Sequence, residues 1–215
     1  MRIAPEGWPF IAIGAALTAA LAVIAWAWPG WSVALPVIAA VLSVWVLAFF
    51  RDPERPGPRG DGLVIAPADG RVLSVAEVDE AMYLHRKATR VAIFMNVFDV
   101  HVNRFPVSGE VDIVHYNPGE FFTASLDKAS LLNEQASVGI VGPKGPLLVR
   151  QIAGLIARRI VTDVAPGDAA VQGERFGMIR FGSRVDVFFA PAAAVRVTPG
   201  QRVRAGQTVL AEYPA

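Results

Sequence analysis

Two long apolar runs stand almost back to back near the start of this chain. Phe10 to Trp28 and Trp31 to Phe50 contain no charged residue, and Pro29-Gly30 separates them. Each is close to the roughly 20 helical residues that cross a hydrocarbon core. Proline followed by glycine turns the chain, and Trp28 and Trp31 flank the turn as indoles do at a membrane–water boundary. Residues 1–50 therefore read as a hydrophobic helical hairpin that anchors the protein to a membrane. Arg2 precedes it and Arg51, Arg55 and Arg59 follow it, which directs both ends, and the domain beyond, to the cytoplasmic face of the cell membrane. A cleaved signal peptide fits poorly, because a second apolar run follows the first at once. Pro36 interrupts that second run, so a hairpin that dips into the bilayer stays open beside one that spans it.

With 53% hydrophobic and 18% charged residues the chain has ample surface to bury, which excludes disorder. A net charge of +1 carries no basic excess for nucleic acid. The absence of cysteine removes disulfides, thiolate metal sites and thiol nucleophiles. Residues 51–60 alternate charge and proline and read as a linker. Residues 61–215 remain as the second domain.

That domain reads as mainly β within an α+β whole. Leu63–Ala66, Arg71–Val78, Arg90–Val97, Glu110–His115, Leu147–Ala153, Ala157–Val161, Arg184–Phe189 and Gln207–Ala211 are short segments rich in Val, Ile and Phe. Gly, Pro, Asn or Asp separates most of them. The spacing predicts a helix over Ala124–Ala136, with Ser125 as its cap. Pro67-Ala68-Asp69-Gly70-Arg71-Val72 is echoed by Pro106-Val107-Ser108-Gly109-Glu110-Val111. The tail adds Pro199-Gly200 and Ala205-Gly206 before further valine strands. Such glycine turns suit a barrel-sandwich, the architecture of lipoyl and biotinyl carriers. A carrier needs an exposed lysine at a hairpin tip, and Lys128 falls instead in the predicted helix.

Three histidines are available for chemistry. His85 and His115 have ordinary surroundings, whereas His101 sits in Asn96-Val97-Phe98-Asp99-Val100-His101-Val102-Asn103-Arg104, with polar groups packed between apolar ones. Imidazole titrates near neutrality, so that setting suits proton transfer. No second histidine or carboxylate pair has metal-ligand spacing, so no metal is expected. No dinucleotide fingerprint, P-loop or Gly-x-Ser-x-Gly is present, and three lysines leave little for a pyridoxal enzyme.

Five blocks, in order, carry a resemblance: Phe49-Phe50-Arg51-Asp52-Pro53-Glu54-Arg55, Ala66-Pro67-Ala68-Asp69-Gly70, Val100-His101-Val102-Asn103-Arg104, 151–159 (QIAGLIARR) and Phe181-Gly182-Ser183-Arg184-Val185-Asp186. Together they resemble the short bacterial and archaeal form of phosphatidylserine decarboxylase. The resemblance implies a proenzyme that cleaves itself between Gly182 and Ser183, giving a β chain 1–182 and an α chain 183–215 that stay together as a heterodimer. Further oligomerisation is left open. Ser183 is then converted to a covalent pyruvoyl group, an electron sink that replaces pyridoxal phosphate. The implied reaction takes phosphatidylserine in the bilayer to phosphatidylethanolamine. By the same resemblance Asp69 serves self-cleavage and His101 transfers the proton in decarboxylation.

Two positions depart from the longer family members. Arg104 stands where they carry a second histidine, and arginine cannot act as a base near neutrality. His101 is therefore expected to serve both steps, with Arg104 and Asn103 binding the carboxylate or phosphate of the substrate. Arg184 stands where they carry a small hydroxyl residue. A non-enzymatic reading also accounts for the hairpin and the glycine turns, namely a membrane-anchored barrel-sandwich adaptor. It leaves the joint presence of Asp69, His101 and Gly182-Ser183 without a reason.

Overall fold

The computed structural model describes residues 2–119, 133–154, 159–180 and 183–214. It divides into two compact units, Met1–Glu54 and Arg55–Ala215. In the first, helices α1 (Trp8–Ala27) and α2 (Ala34–Phe49) form the hairpin. Strand β1 (Arg2–Ile3) pairs with β2 (Arg51–Asp52) and ties the two ends together. The helices meet where side chains are small: a Cβ on Gly14 would strike Ser43, whose Oγ lies 3.3 Å from Thr18 Oγ1. Both hydroxyls also reach back to carbonyls one turn earlier, so neither is left unsatisfied in an apolar setting. Ile13, Val23, Trp26, Val37, Val41 and Val44 point outward, exposed. Pro5–Ala27 is long and apolar enough to cross a membrane, whereas α2 is shorter. Pro36 lies in the first turn of α2, where a missing N–H costs no helical hydrogen bond.

The second unit is built of antiparallel strands: β3 (Leu63–Ile65), β4 (Gly70–Glu80), β5 (Arg86–Met95), β6 (Val102–Arg104), β7 (Gly109–Asn117), β8 (Gln135–Gly142), β9 (Gly145–Ala153), β10 (Ile160–Thr162), β11 (Ala169–Ala170), β12 (Arg175–Ile179), β13 (Ser183–Phe189), β14 (Ala194–Val195), β15 (Arg202–Val203) and β16 (Val209–Glu212). One eight-stranded sheet runs β11-β7-β8-β9-β13-β5-β4-β15 and curls into a half-barrel. Two three-stranded sheets, β10-β12-β6 and β14-β16-β3, complete the unit. The mainly β, barrel-sandwich-like architecture expected from the glycine-punctuated strands is the one observed.

The sequence echo is a structural repeat. Val72 exchanges backbone hydrogen bonds with Gln201 and Gly200, and Val111 does so with Asp168 and Gly167. Gly70 pairs with Val203 and Gly109 with Ala170. A side chain on either glycine would strike a carbonyl oxygen of the neighbouring strand, Phe94 in one case and Val141 in the other. Ile65 N–H donates to Pro106 and Arg104 N–H donates to Pro67, so the two copies clasp each other reciprocally. Register shifts follow at Val72/Ser74 in one copy and Val111/Ile113 in the other, bending both strands alike. The two small sheets correspond as well: Val209, Ala211 and Glu212 pair with β3 as Arg175, Gly177 and Met178 pair with β6.

The predicted helix over Ala124–Ala136 falls mostly outside the described residues, and its described end is not helical. Asn133 forms a bridge, and Gln135 and Ala136 open β8, pairing with Asn117 and Tyr116. A strand with small residues on both sides carries too little alternation to reveal itself. The unpredicted β6 and β12 are short and lie in the polar neighbourhoods that looked like loop. His85 adopts a positive φ of 50° in the β4–β5 turn, and His115 is exposed on β7, so both occupy ordinary scaffold positions.

One buried carboxylate organises the sheet's other face. Glu80 accepts the N–H groups of Met82, Tyr83 and Leu84, closing the β4–β5 turn, and Arg150 of β9 donates to it at 3.0 Å. Burial alone would raise this carboxyl, but those N–H groups and Arg150 outweigh it and hold Glu80 below the ordinary carboxylate range. The stabilisation is thus present above the unfolded-state value and is lost as pH falls through the lowered folded value. Glu80→Gln is expected to cost about 2–3 kcal/mol, since an amide cannot accept all three N–H groups and strands Arg150. Urea unfolding of the detergent-solubilised chain at neutral and acid pH would show it, with the loss shrinking in acid. An unchanged midpoint at neutral pH would contradict this account.

Candidate active site

Strand β13 runs between β9 and β5, hydrogen-bonded to both, and all seven of its residues are buried. Ser183 is its first residue and lies opposite Met95 of β5 and Ala153 of β9. The period of two turns Val185, Val187 and Phe189 into the main core, and Ser183 shares their face. Its Oγ–H donates to the Met95 sulfur at 3.3 Å, and no part of the residue is exposed. Arg184 lies on the opposite face, where its guanidinium makes two bonds, of 2.6 and 2.8 Å, to Asp186. Burial pushes Asp186 above its ordinary value, and Arg184, Arg90 and Arg150 oppose that rise. The departure at 184 is accordingly an ion pair along one strand, turned away from Ser183.

His101 follows the turn after β5. Asp99 N–H donates to Asn96, Asp99 Oδ2 accepts Asn96 N–H, and the reversal carries His101 into the interior, fully buried. Its Nδ1 lies 3.0 Å from the carbonyl oxygen of Asp99. A carbonyl can only accept, so Nδ1 carries a proton.

Asp69 ends the turn that leads into β4. Its Oδ1 accepts Ala205 N–H at 2.8 Å and its Oδ2 accepts Arg55 at 2.6 Å. Burial pushes this carboxyl above the ordinary range; Ala205 N–H and Arg55 offset part of that, and the charge of Asp99 adds to it. The repeat explains one of the two oxygens. At the equivalent turn Ser108 Oγ accepts Gln172 N–H at 3.1 Å, so Oδ1 does a scaffold job that a hydroxyl can also do. The contact of Oδ2 with Arg55 goes beyond that job.

Asn103 and Arg104, which sequence reasoning grouped, face opposite ways from β6. Arg104 donates to the Gly173 carbonyl at 3.2 Å and lies against Gly206. Asn103, fully buried, turns to the Ser183 side, with its Nδ2 3.8 Å from the same Met95 sulfur. Its Oδ1 accepts Gln151 Nε2 at 2.8 Å, and Thr162 Oγ1 donates to Gln151 Oε1 at 3.1 Å. Gly182 lies outside the described residues. Met95, Gln151, Thr162 and Arg55 were not anticipated. Gln151 had a signal, because it occupies an inward position of the apolar strand Leu147–Ala153, between core residues Val149 and Ala153.

The arrangement offers a buried hydroxyl on a weak acceptor, a buried imidazole whose Nδ1 is held by a backbone carbonyl, and a carboxyl raised by burial beside an arginine. Among the described residues no three His, Asp or Glu side chains stand together to hold a metal.

Residues 42–211 match the profile of the family described as phosphatidylserine decarboxylase. The chain is 49% identical over 213 residues to the phosphatidylserine decarboxylase proenzyme of Symbiobacterium thermophilum, covering 99% of this chain and 96% of that protein. It is 51% identical over 212 residues to the proenzyme of the same name from Nitrosomonas eutropha, covering 98% and 95%. With a profile match across most of its length and two such relatives end to end, this chain belongs to the phosphatidylserine decarboxylase family, the carboxy-lyases that its five sequence blocks resemble.

Proposed function

We propose that this chain is a self-processing proenzyme whose mature form decarboxylates phosphatidylserine to phosphatidylethanolamine at the cytoplasmic face of the cell membrane. The observation that carries the reading is Ser183: a fully buried serine, first in a doubly paired strand, with its hydroxyl parked on a thioether. Relatives named as proenzymes over nearly the whole length support it.

Self-cleavage begins when Ser183 Oγ adds to the carbonyl carbon of Gly182 and gives up its proton to His101 Nε2. The Gly182–Ser183 C–N bond then breaks and the nitrogen takes that proton, leaving an ester. Loss of the Ser183 Cα proton expels the Gly182 carboxylate, and water then releases the residue's nitrogen as ammonia. The pyruvoyl group so formed supplies an electron sink for loss of carbon dioxide from a bound amino acid headgroup. The cut falls before the first ladder residue of β13, so chains 1–182 and 183–215 remain joined by both of its neighbours. His101 returns the proton after decarboxylation, Asp69 with Arg55 sets the charge around self-cleavage, and Arg104 with Asn103 receives polar groups of the substrate. The hairpin 1–50 keeps the domain beside a substrate that never leaves the bilayer, with residues 51–60 leading from it to the catalytic domain 61–215. Arginines at both hairpin ends favour the cytoplasmic side.

Denaturing electrophoresis with intact mass analysis should show two chains divided at Gly182–Ser183, and one uncut chain for Ser183→Ala. A wild-type chain that stays whole, as a non-enzymatic adaptor would, defeats the reading. His101→Ala should slow both self-cleavage and carbon dioxide release, each by about 10²–10⁴-fold; normal rates in both would remove its role.

Asp69→Ser separates scaffold from chemistry. The serine can accept Ala205 N–H as Ser108 accepts Gln172, so the scaffold bond survives; the unpaired Arg55 should lower stability by about 1–3 kcal/mol, while self-cleavage is lost outright. Asp69 must be ionised to act, and its raised value places the acid limb of the cleavage rate above the ordinary carboxylate range. Arg55→Gln removes the opposing cation and should move that limb to still higher pH. A limb that stays put or moves toward acid would refute the assignment.

A further inference from the structure

We infer that Thr162, Gln151 and Asn103 form a positioning relay that fixes the Asn103 amide as a hydrogen-bond donor beside residue 183, where it stabilises the oxygen on which charge grows during self-cleavage. The inference rests on the self-cleavage reading of Ser183.

The direction of the relay follows from chemistry at its inner end. A thioether sulfur has no proton and can only accept. Asn103 meets Met95 Sδ, so the group it presents there must be its NH2, and its oxygen must face Gln151. Gln151 must then present its own NH2 to Asn103 and its oxygen to Thr162, whose hydroxyl donates. Turning either amide over would aim a fully buried carbonyl oxygen at a sulfur or at another oxygen, at a cost of roughly 1–3 kcal/mol. The NH2 held inward has a poor acceptor in the sulfur, 3.8 Å away, while Ser183 Oγ–H points at that sulfur from 3.3 Å. Two donors thus converge on one weak acceptor. When Oγ adds to the preceding carbonyl, its proton leaves and the carbonyl π pair becomes an oxyanion. That oxyanion is carried by the carbon newly bonded to Ser183 Oγ, the atom that shares the Met95 sulfur with the Asn103 amide.

The internal repeat argues that none of this is required by the fold. The position equivalent to Asn103 is Val64, which pairs with Ala211 as Asn103 pairs with Gly177. The position equivalent to Thr162 is Val195, which pairs with Ala211 as Thr162 pairs with Gly177. One copy is therefore apolar at all three places. In the copy beside Ser183 they are Asn, Thr and Gly, and a Cβ on Gly177 would press on Gln151 Nε2 and the Val161 carbonyl. Polar groups and the room for them occur together, on the side where residue 183 lies.

The test follows self-cleavage of newly made full-length precursor by denaturing electrophoresis, with melting of each variant in detergent. Asn103→Asp reverses the donor and should slow cleavage by about 10²–10³-fold, the loss typical of one oxyanion donor. Thr162→Val installs the residue of the other copy, so it should fold normally yet slow cleavage by about tenfold through misorientation of Gln151 and Asn103. Thr162→Ser keeps the hydroxyl and should restore the rate. Cleavage of N103D at the wild-type rate, or equal rates for T162V and T162S, overturns the relay. Should N103D fail to fold, the T162V and T162S pair alone decides. A wild-type precursor that never cleaves removes the reading of Ser183 and the relay with it, whereas normal wild-type cleavage with indifferent variants removes the relay alone.

Discussion

Everything about the site depends on β13 having neighbours on both sides. A strand hydrogen-bonded to β9 and β5 and buried on both faces cannot slide by one residue without exchanging its core and outer side chains. Val185, Val187 and Phe189 fix the inward set, while the Arg184–Asp186 pair fixes the outward one. Ser183 inherits its place from that register. Its hydroxyl reaches Met95 because Met95 is its ladder partner, and no loop geometry intervenes. Under the proposed self-cleavage Ser183 gives up its own nitrogen, and the ladder of residues 184–189 keeps the remainder of the strand in register.

The internal repeat acts as a built-in control for what the scaffold needs. Where the copies agree, as in the glycines at 70 and 109 and the bulges after Val72 and Val111, the residue serves the fold. Where they disagree, the scaffold has tolerated a change and something else has required it. Asp69 against Ser108 and Asn103 against Val64 are such disagreements, and both concern residues near the start of β13 or the turn beside it. By this comparison the departures from a near-symmetric frame are few and fall in both copies, Asp69 in the first and Asn103 with Thr162 in the second. The logic needs one structure and no second protein.

Much of this was legible in the amino acid order. Uncharged runs gave away the hairpin, since nothing but lipid or a large core tolerates them. Val-rich segments after Gly turns gave away β4, β7, β13 and β16, and the first half of the repeat was visible as Pro-x-x-Gly-x-Val. Of its partner only the Pro199-Gly200 turn was read: Pro166-Gly167-Asp168 shares its Pro-Gly and its backbone role, with Gln201 and Asp168 each accepting the N–H three residues earlier. Residues 133–136 were given to a helix because Ala and Gln suit helices locally, while β8 owes its existence to pairing with β7 and β9. His101 stood out by the polar and apolar residues around it, and Asp69 and Ser183 by the family resemblance of the blocks that hold them. Gln151 and Met95 did not, because their importance lies in what they face, and facing is a tertiary fact. Arg55 looked like part of a linker for the same reason.

The choice of a thioether as partner for Ser183 has its own physical sense. A buried hydroxyl bonded to a carboxylate or a backbone carbonyl would be well satisfied, and the bond would have to be broken before Oγ could turn toward its neighbour. Sulfur is polarizable and apolar enough to pack in a core, and it accepts weakly. The hydroxyl is therefore neither orphaned nor strongly held, and rotation about a single bond releases it. The same sulfur faces the Asn103 amide, so the environment before the reaction holds two donors and almost no acceptor. Under the proposed self-cleavage, negative charge formed at residue 183 would meet donors already held there. A strong acceptor at position 95 would bind both donors tightly in the resting precursor and lower its energy more than that of the charged intermediate. By that reasoning the weakness of the Met95 contact is part of what makes the site reactive.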